Sequence, residues 1–205
     1  MKLVIFSPMT MTSAIGRVSV LIARALVARG HAVTVVRTES EAYLHSACIP
    51  CDVPVLKWTD TDGVAAVINE ASQLVYQIGD NFPYHCGALH WLEIAPGIVC
   101  LHDFFVANLF EQWSRGRRSE AERVLAQWYG DEAATDFFSA PNSQEFFEKT
   151  ARSYPMTEWI CAMAYCVVSH SHWGMPREAR ACAGPVRVLS LPYDASNPAV
   201  SSAKE

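Results

Sequence analysis

Three clusters of polar side chains stand at the ends of short apolar runs. Gly79-Asp80-Asn81 follows Leu74 to Ile78, His102-Asp103 follows Ile98 to Leu101, and Ser169-His170-Ser171-His172 closes the run that begins at Tyr165. An imidazole just past a buried strand can donate to a substrate oxygen or to a phosphate. Carboxylate and amide side chains hold sugar hydroxyls, which need donors and acceptors together. Each of these residues also has a plain structural use, because Asp80, Asn81, Asp103 and Ser171 are good helix N-caps and a lone histidine is more often structural. His102 is the candidate catalytic group, and Asp80, Asn81, Asp103 and Ser171 are candidates for binding.

Two further motifs invite chemistry. Cys48-Ile-Pro-Cys51, with His45 nearby, has the spacing of redox and zinc sites. Pro50 and Pro54 forbid the helix that lowers a thiolate pKa, and no second ligand pair stands at zinc-site spacing. Two incidental cysteines in a loop is the better reading, and a redox or metal protein is the competitor. Gly16, at the opening of the first helical pattern, lacks the glycine partners of a dinucleotide fingerprint, and no acidic residue ends the second strand. A lone glycine there still lets a phosphate or sugar approach the free N–H groups of a helix start.

These residues need a frame, and the pattern supplies one. Lys2 to Phe6 reads as a strand. Val18, Leu21, Ile22, Ala25 and Leu26 recur at helical spacing up to Gly30, a good C-cap, and His31 to Arg37 reads as a second strand. A β-α-β unit this short implies a right-handed crossover and a parallel sheet. Residues 38–52 read as irregular, Val53 to Leu56 as a third strand, and Gly63 to Glu70 as a helix. Leu74 to Ile78 and Ile98 to Leu101 flank a helix starting near His85. Helices run from Phe104 through Ala164, then a strand at Tyr165 to Ser169, a helix from Ser171 to Cys182 and a strand at Val186 to Leu191. The expected architecture is an α/β, Rossmann-like, doubly wound and mainly parallel sheet of about seven strands. It spans 1–191, with a helical insertion at about 104–164 and a linker or tail at 192–205. Ligands of such sheets bind beyond the carboxyl ends of the strands, where the polar clusters stand.

Composition narrows the field. The chain has 205 residues, about half hydrophobic, with a formal charge of −5. That builds one sizeable domain and gives no basic stripe for nucleic acid. Arg115, Arg117 and Arg118 lie among acidic residues and read as a solvated turn, so any membrane contact is peripheral. No apolar run reaches the ~18 residues of a membrane span, and no secretory leader is evident. Seven cysteines in mostly apolar contexts fit reduced thiols in the cytoplasm. Without clustered carboxylates such as Asp-x-Asp, the sequence calls for no metal and no cofactor.

Four strings together resemble the N-terminal domain of GT-B-fold glycosyltransferases of the retaining family 4 type (glycosyl transferase group 1). They are Leu26-Val-Ala-Arg-Gly-His-Ala-Val-Thr-Val-Val36 after Gly16, Tyr76-Gln-Ile-Gly-Asp-Asn-Phe-Pro-Tyr-His85, Pro96-Gly-Ile-Val-Cys-Leu-His-Asp103 and Val167-Val-Ser-His-Ser171. The resemblance runs over nearly the whole chain. It implies half of a two-domain enzyme that moves a sugar from a nucleotide-sugar donor to a carbohydrate or lipid-linked acceptor with retention. By that resemblance this half binds the acceptor, Gly16 faces the donor phosphates, and His102 lies near the reacting sugar. The donor-binding C-terminal domain, with its Glu-x7-Glu motif, is expected to be missing here, so the chain alone should be inactive. The alternative is a stand-alone, non-catalytic binding or interaction domain of the same fold.

Overall fold

The computed structural model describes residues 1–192; the expected tail lies, from residue 193 on, outside the described residues. Seven strands form one sheet in the order β3-β2-β1-β4-β5-β6-β7, and every neighbouring pair is parallel. They are β1 (Lys2–Ser7), β2 (Ala32–Arg37), β3 (Val55–Lys57), β4 (Gln73–Ile78), β5 (Ile98–Leu101), β6 (Cys166–Ser169) and β7 (Val186–Val188). The Rossmann-like α/β class expected from the periodicity is what forms.

Near-continuous apolar strands follow from burial on both faces of a parallel sheet. Phe6, Tyr76 and Val99 pack on one face with helix α4 (Phe82–Ile94), while Ile5 and Val35 pack on the other with α1 (Ala14–Ala28). Phe6 and Tyr76 stack with centroids 4.5 Å apart. Tyr76 Oη donates to the Ala95 carbonyl at 2.6 Å, giving its buried hydroxyl a partner.

β1 is the pivot of the sheet. The chain winds from β1 to β2 and β3 on one side, and from β4 to β7 on the other. Loops leaving β1 and β4 therefore part in opposite directions, opening a crevice at their carboxyl ends. A cap at each end fixes α1, whose start forms part of the β1 wall. Ser13 caps α1 by accepting from the Gly16 amide at 2.9 Å, and Gly30, at φ +81°, ends the helix as the sequence suggests.

The remaining helices are α2 (Glu41–Leu44), α3 (Thr61–Glu70), α5 (Ala107–Trp113), α6 (Arg118–Tyr129), α7 (Ala133–Phe137), α8 (Ser143–Ser153), α9 (Thr157–Ala162) and α10 (Met175–Ala181). The span α5 to α9 is the helical insertion, held by an aromatic cluster. Phe110 meets Trp159 at 4.9 Å and Phe137 at 5.5 Å between centroids.

Several boundaries differ from the sequence reading. Residues 38–52 contain α2 rather than only irregular chain. Phe104 to Val106 is not helical, because the Val106 amide is drawn to the Pro155 carbonyl at 2.8 Å. The helix expected from Ser171 starts at Met175: Ser171 caps nothing, and Gly174 takes that place because it must pass under the Phe104 ring. The last strand stops at Val188 instead of reaching Leu191.

Candidate functional site

The crevice at the β1/β4 divide encloses about 620 Å³. One wall is the β1–α1 loop, with Pro8, Thr12, Ser13 and Ile15. The other carries Asn81, Tyr84 and His85 after β4, with His102 and Asp103 after β5. Its position follows from topology, and its chemistry from the three polar strand ends.

The strand ends are stitched together. The His102 amide donates to the Ile78 carbonyl at 2.8 Å, extending the β4–β5 pairing by one residue. Asp103 Oδ2 accepts from the Asp80 amide at 2.9 Å. Asp80 turns the other way, where Oδ1 accepts from the Leu109 amide at 2.8 Å and Oδ2 from Asn108 Nδ2 at 2.6 Å. Asp80 thus caps α5, across 29 residues of sequence. Burial pushes its carboxyl up to about 6, against the pull of those two donors. Asn81 stands at the N-cap of α4 with its amide side chain unbonded and exposed to the crevice mouth.

His102 is half-buried. It donates Nε2–H to Gln77 Oε1 at 2.6 Å, which leaves Nδ1 an acceptor on a ring that lines the crevice. Burial, aided by His170, lowers the His102 pKa to about 4, so the ring is neutral at pH 7. The two rings lie 5.0 Å apart, and His170 Nδ1 donates to the Leu189 carbonyl at 2.8 Å. His85 sits deeper, and burial lowers it to about 3. The lining therefore holds neutral imidazoles, hydroxyls, an amide and one exposed carboxylate, Asp103. It contains no lysine and no arginine among the described residues.

The sequence candidates divide on this geometry. Asn81, His102 and Asp103 meet in the crevice. Asp80 stands behind it, joined through its backbone to Asp103. Gly16 is buried under the loop rather than on the lining: a Cβ there would lie 2.5 Å from the Pro8 carbonyl oxygen and 2.9 Å from Ile49 Cδ1. Ser171 is exposed, and its carbonyl accepts from Ser169 Oγ at 3.3 Å. Gln77 joins the site without having been singled out, and His85, which the sequence sets beside the Asp80-Asn81 cluster, lines it. A polar residue inside an apolar strand, as at Gln77, is the signal that would have found the first.

The Cys48–Cys51 loop has a bracing role. Ile49 donates its amide to the Met9 carbonyl at 2.8 Å, and Cys48 bridges to Thr10, so this loop supports the β1–α1 wall from behind. Both cysteines are free thiols. A buried ion pair adds to the brace. Arg37 Nη2 lies 3.2 Å from Glu39 Oε1, and that oxygen accepts from the Met9 amide at 2.6 Å. Arg115, Arg117 and Arg118 pair with Glu111, Glu93 and Glu122, as a solvated turn would. Among the described residues no helix is long and apolar enough to cross a membrane.

No protein-family model matches the chain, and no curated protein does. Among solved structures, the chain is similar to an alpha-glucosyltransferase in complex with UDP and a 13-mer DNA containing an HMU base. The TM-score is 0.46 and the identity 13%, over 95% of this chain and 43% of that one. An alpha-glucosyltransferase in complex with UDP-glucose and DNA containing an abasic site gives a TM-score of 0.46 at 12% identity, over 94% and 43% of the two chains. The chain spans less than half the length of these structures.

Proposed function

We propose that this chain is the acceptor-binding half of a glycosyltransferase, one that moves a sugar from a nucleotide-sugar donor to an acceptor hydroxyl with retention of configuration. The observation that carries the reading is the chemistry of the crevice: neutral imidazoles, hydroxyls, an amide and one carboxylate at the topological switch point, with no cationic side chain on the lining. Such a lining suits a neutral, hydroxyl-rich ligand, because each hydroxyl needs both a donor and an acceptor.

In the transfer, the bond from the sugar's anomeric carbon to the donor diphosphate breaks. A bond to the acceptor oxygen forms, and the hydroxyl proton passes to the departing diphosphate. Under this reading His102 lies at the reacting sugar, Asn81 and Asp103 hold acceptor hydroxyls, and Asp80 orients Asp103 through its amide. Gly16 lets the Thr12 to Ile15 segment come close to the donor phosphates, while Ser171 stands off the lining. Charge developing on the diphosphate needs preorganised donors. The crevice offers no cation for it, which supports a division of labour with a second, donor-binding domain. The chain alone then binds acceptor without turnover. The DNA in the complexes described above belongs to those proteins. Here a DNA duplex enters as an arm of the test.

The test is a calorimetric titration of the 205-residue chain with a panel of neutral saccharides and lipid-linked sugars, UDP-glucose and a DNA duplex, repeated on His102→Ala. The expected result is binding of one saccharide class, weakened about tenfold or more by the substitution, and no hydrolysis of UDP-glucose. Silence across the saccharides from a folded chain, or duplex binding tighter than any saccharide, contradicts the proposal.

A further inference from the structure

The segment after β5 and the turn before α10 build a second recess, of about 560 Å³, lined by Phe104, Pro155, Trp173, Arg152, Arg177 and Arg180. Trp173 is 75% exposed, more than any other large apolar side chain described. It is nevertheless held in place. Its ring meets Phe104 edge-on, with centroids 4.6 Å apart at 76°. Gly174 permits that packing, since a Cβ there would fall 2.2 Å from Phe104 Cδ2. The Phe104 carbonyl in turn accepts from Thr157 Oγ1. An indole packed against one aromatic neighbour, with most of its surface in solvent, is a ready platform for a nucleobase or for the C–H face of a sugar ring.

Three guanidinium groups surround this platform. Arg177 Nε lies 3.1 Å from Glu158 Oε1, yet its Nη1 is buried with no hydrogen-bond partner. Arg152 and Arg180 are exposed and make no ion pair among the described residues. Glu178, the other nearby carboxylate, turns inward to accept from Ser169 Oγ at 3.1 Å. A chain of net charge −5 thus gathers three cations, against two carboxylates that are both engaged, around one exposed aromatic side chain. The crevice shows the opposite pattern. Guanidinium groups match phosphate oxygens in charge and in fork geometry.

We propose that this recess is a second ligand site, which takes a phosphate-bearing ring compound, either a nucleotide or a sugar phosphate. The ring stacks on Trp173, and the phosphate sits among Arg152, Arg177 and Arg180. The site stands whether or not the crevice binds an acceptor sugar.

The test follows the Trp173 indole N–H by NMR, and the backbone amides of the recess where a variant lacks the indole, while the 205-residue chain is titrated with uridine monophosphate, glucose 6-phosphate, inorganic phosphate and a single-stranded oligonucleotide. One of the two ring phosphates is expected to bind more tightly than inorganic phosphate and to shift that resonance; which one does so names the ring. Trp173→Ala weakens it at least about fivefold, as loss of a stacked ring does. Arg180→Gln weakens it severalfold and reduces its salt dependence, and His102→Ala leaves it unchanged. Both substituted positions in the recess are exposed, so the fold survives. Four results overturn the proposal: no binding of either ring phosphate at millimolar concentration; inorganic phosphate binding as tightly as both; binding lost in His102→Ala but kept in Trp173→Ala; or a single-stranded oligonucleotide binding far more tightly than the mononucleotide, which assigns the recess to nucleic acid.

Discussion

His102 and Gln77 define the site at the scale of single residues. A neutral imidazole with Nε2–H committed to Gln77 Oε1 has one free nitrogen to offer, so the amide sets which atom faces chemistry. Gln77→Glu puts a carboxylate where the amide oxygen lies, 2.6 Å from Nε2, and favours the imidazolium. The His102 pKa is expected to climb from about 4 by about 1 to 3 units, read from its ring resonances in an NMR pH titration. An unmoved midpoint contradicts the assignment. Gly16 gives a second prediction. Gly16→Ala drives a methyl into the Pro8 carbonyl oxygen, which is backbone and yields little, and destabilises the chain by about 1–3 kcal/mol in thermal or urea unfolding. His102 was legible in the sequence because it follows an apolar run. Gln77 stands out as a polar residue inside an apolar run, but the sequence does not report its partner, which lies at the neighbouring strand's end.

Among the elements, the strand ends and the α5 start behave as one unit, joined through Asp80. Asp80→Ala removes the side-chain partner of the Leu109 amide and of Asn108, and leaves a partly buried amide unsatisfied. The expected loss is about 1–2 kcal/mol in unfolding. Asp80→Asn, which keeps an acceptor, loses less. The two β-α-β beginnings could be read from sequence, since apolar runs, helical spacing and Gly30 all agreed. The Asp80 cap was beyond reach because its partner lies across the loop from Phe104 to Val106. The start of α10 misled for a similar reason. Ser171 has good capping chemistry, but Gly174 must slide beneath Phe104, and tertiary packing outweighed local preference. The same holds for the Cys48 loop, whose spacing suggests chemistry while its backbone braces Met9 and Thr10.

For the whole molecule, buried titratable groups set how stability responds to acid. His85 and His102 titrate near 3 and 4 when folded, against an ordinary 6.5, so the unfolded chain binds more protons between those values. Their contribution is whole above pH 6.5 and lost as the pH falls through that window. Asp80 acts in the opposite sense. Its folded value near 6, against 3.8, makes the folded state the better proton binder, so falling pH returns stability there. Two histidines displaced further than one carboxylate leave a net loss, on the order of a few kcal/mol, between pH 6.5 and 4. Urea midpoints across that range check it, and a midpoint that stays flat or rises on acidification contradicts it. The seven-stranded parallel sheet and the crevice's place were legible because topology puts ligand sites at strand carboxyl ends. The cation-free lining and the arginine recess were not, because each gathers side chains from distant segments. A neutral saccharide seated in the crevice would be seen by amide chemical-shift mapping of the isotope-labelled chain during a saccharide titration. Shifts centred on Thr12 to Ile15, Asn81 to His85 and His102 to Asp103 are the predicted result. Shifts elsewhere with these residues silent, or no shifts with any neutral saccharide, would contradict it.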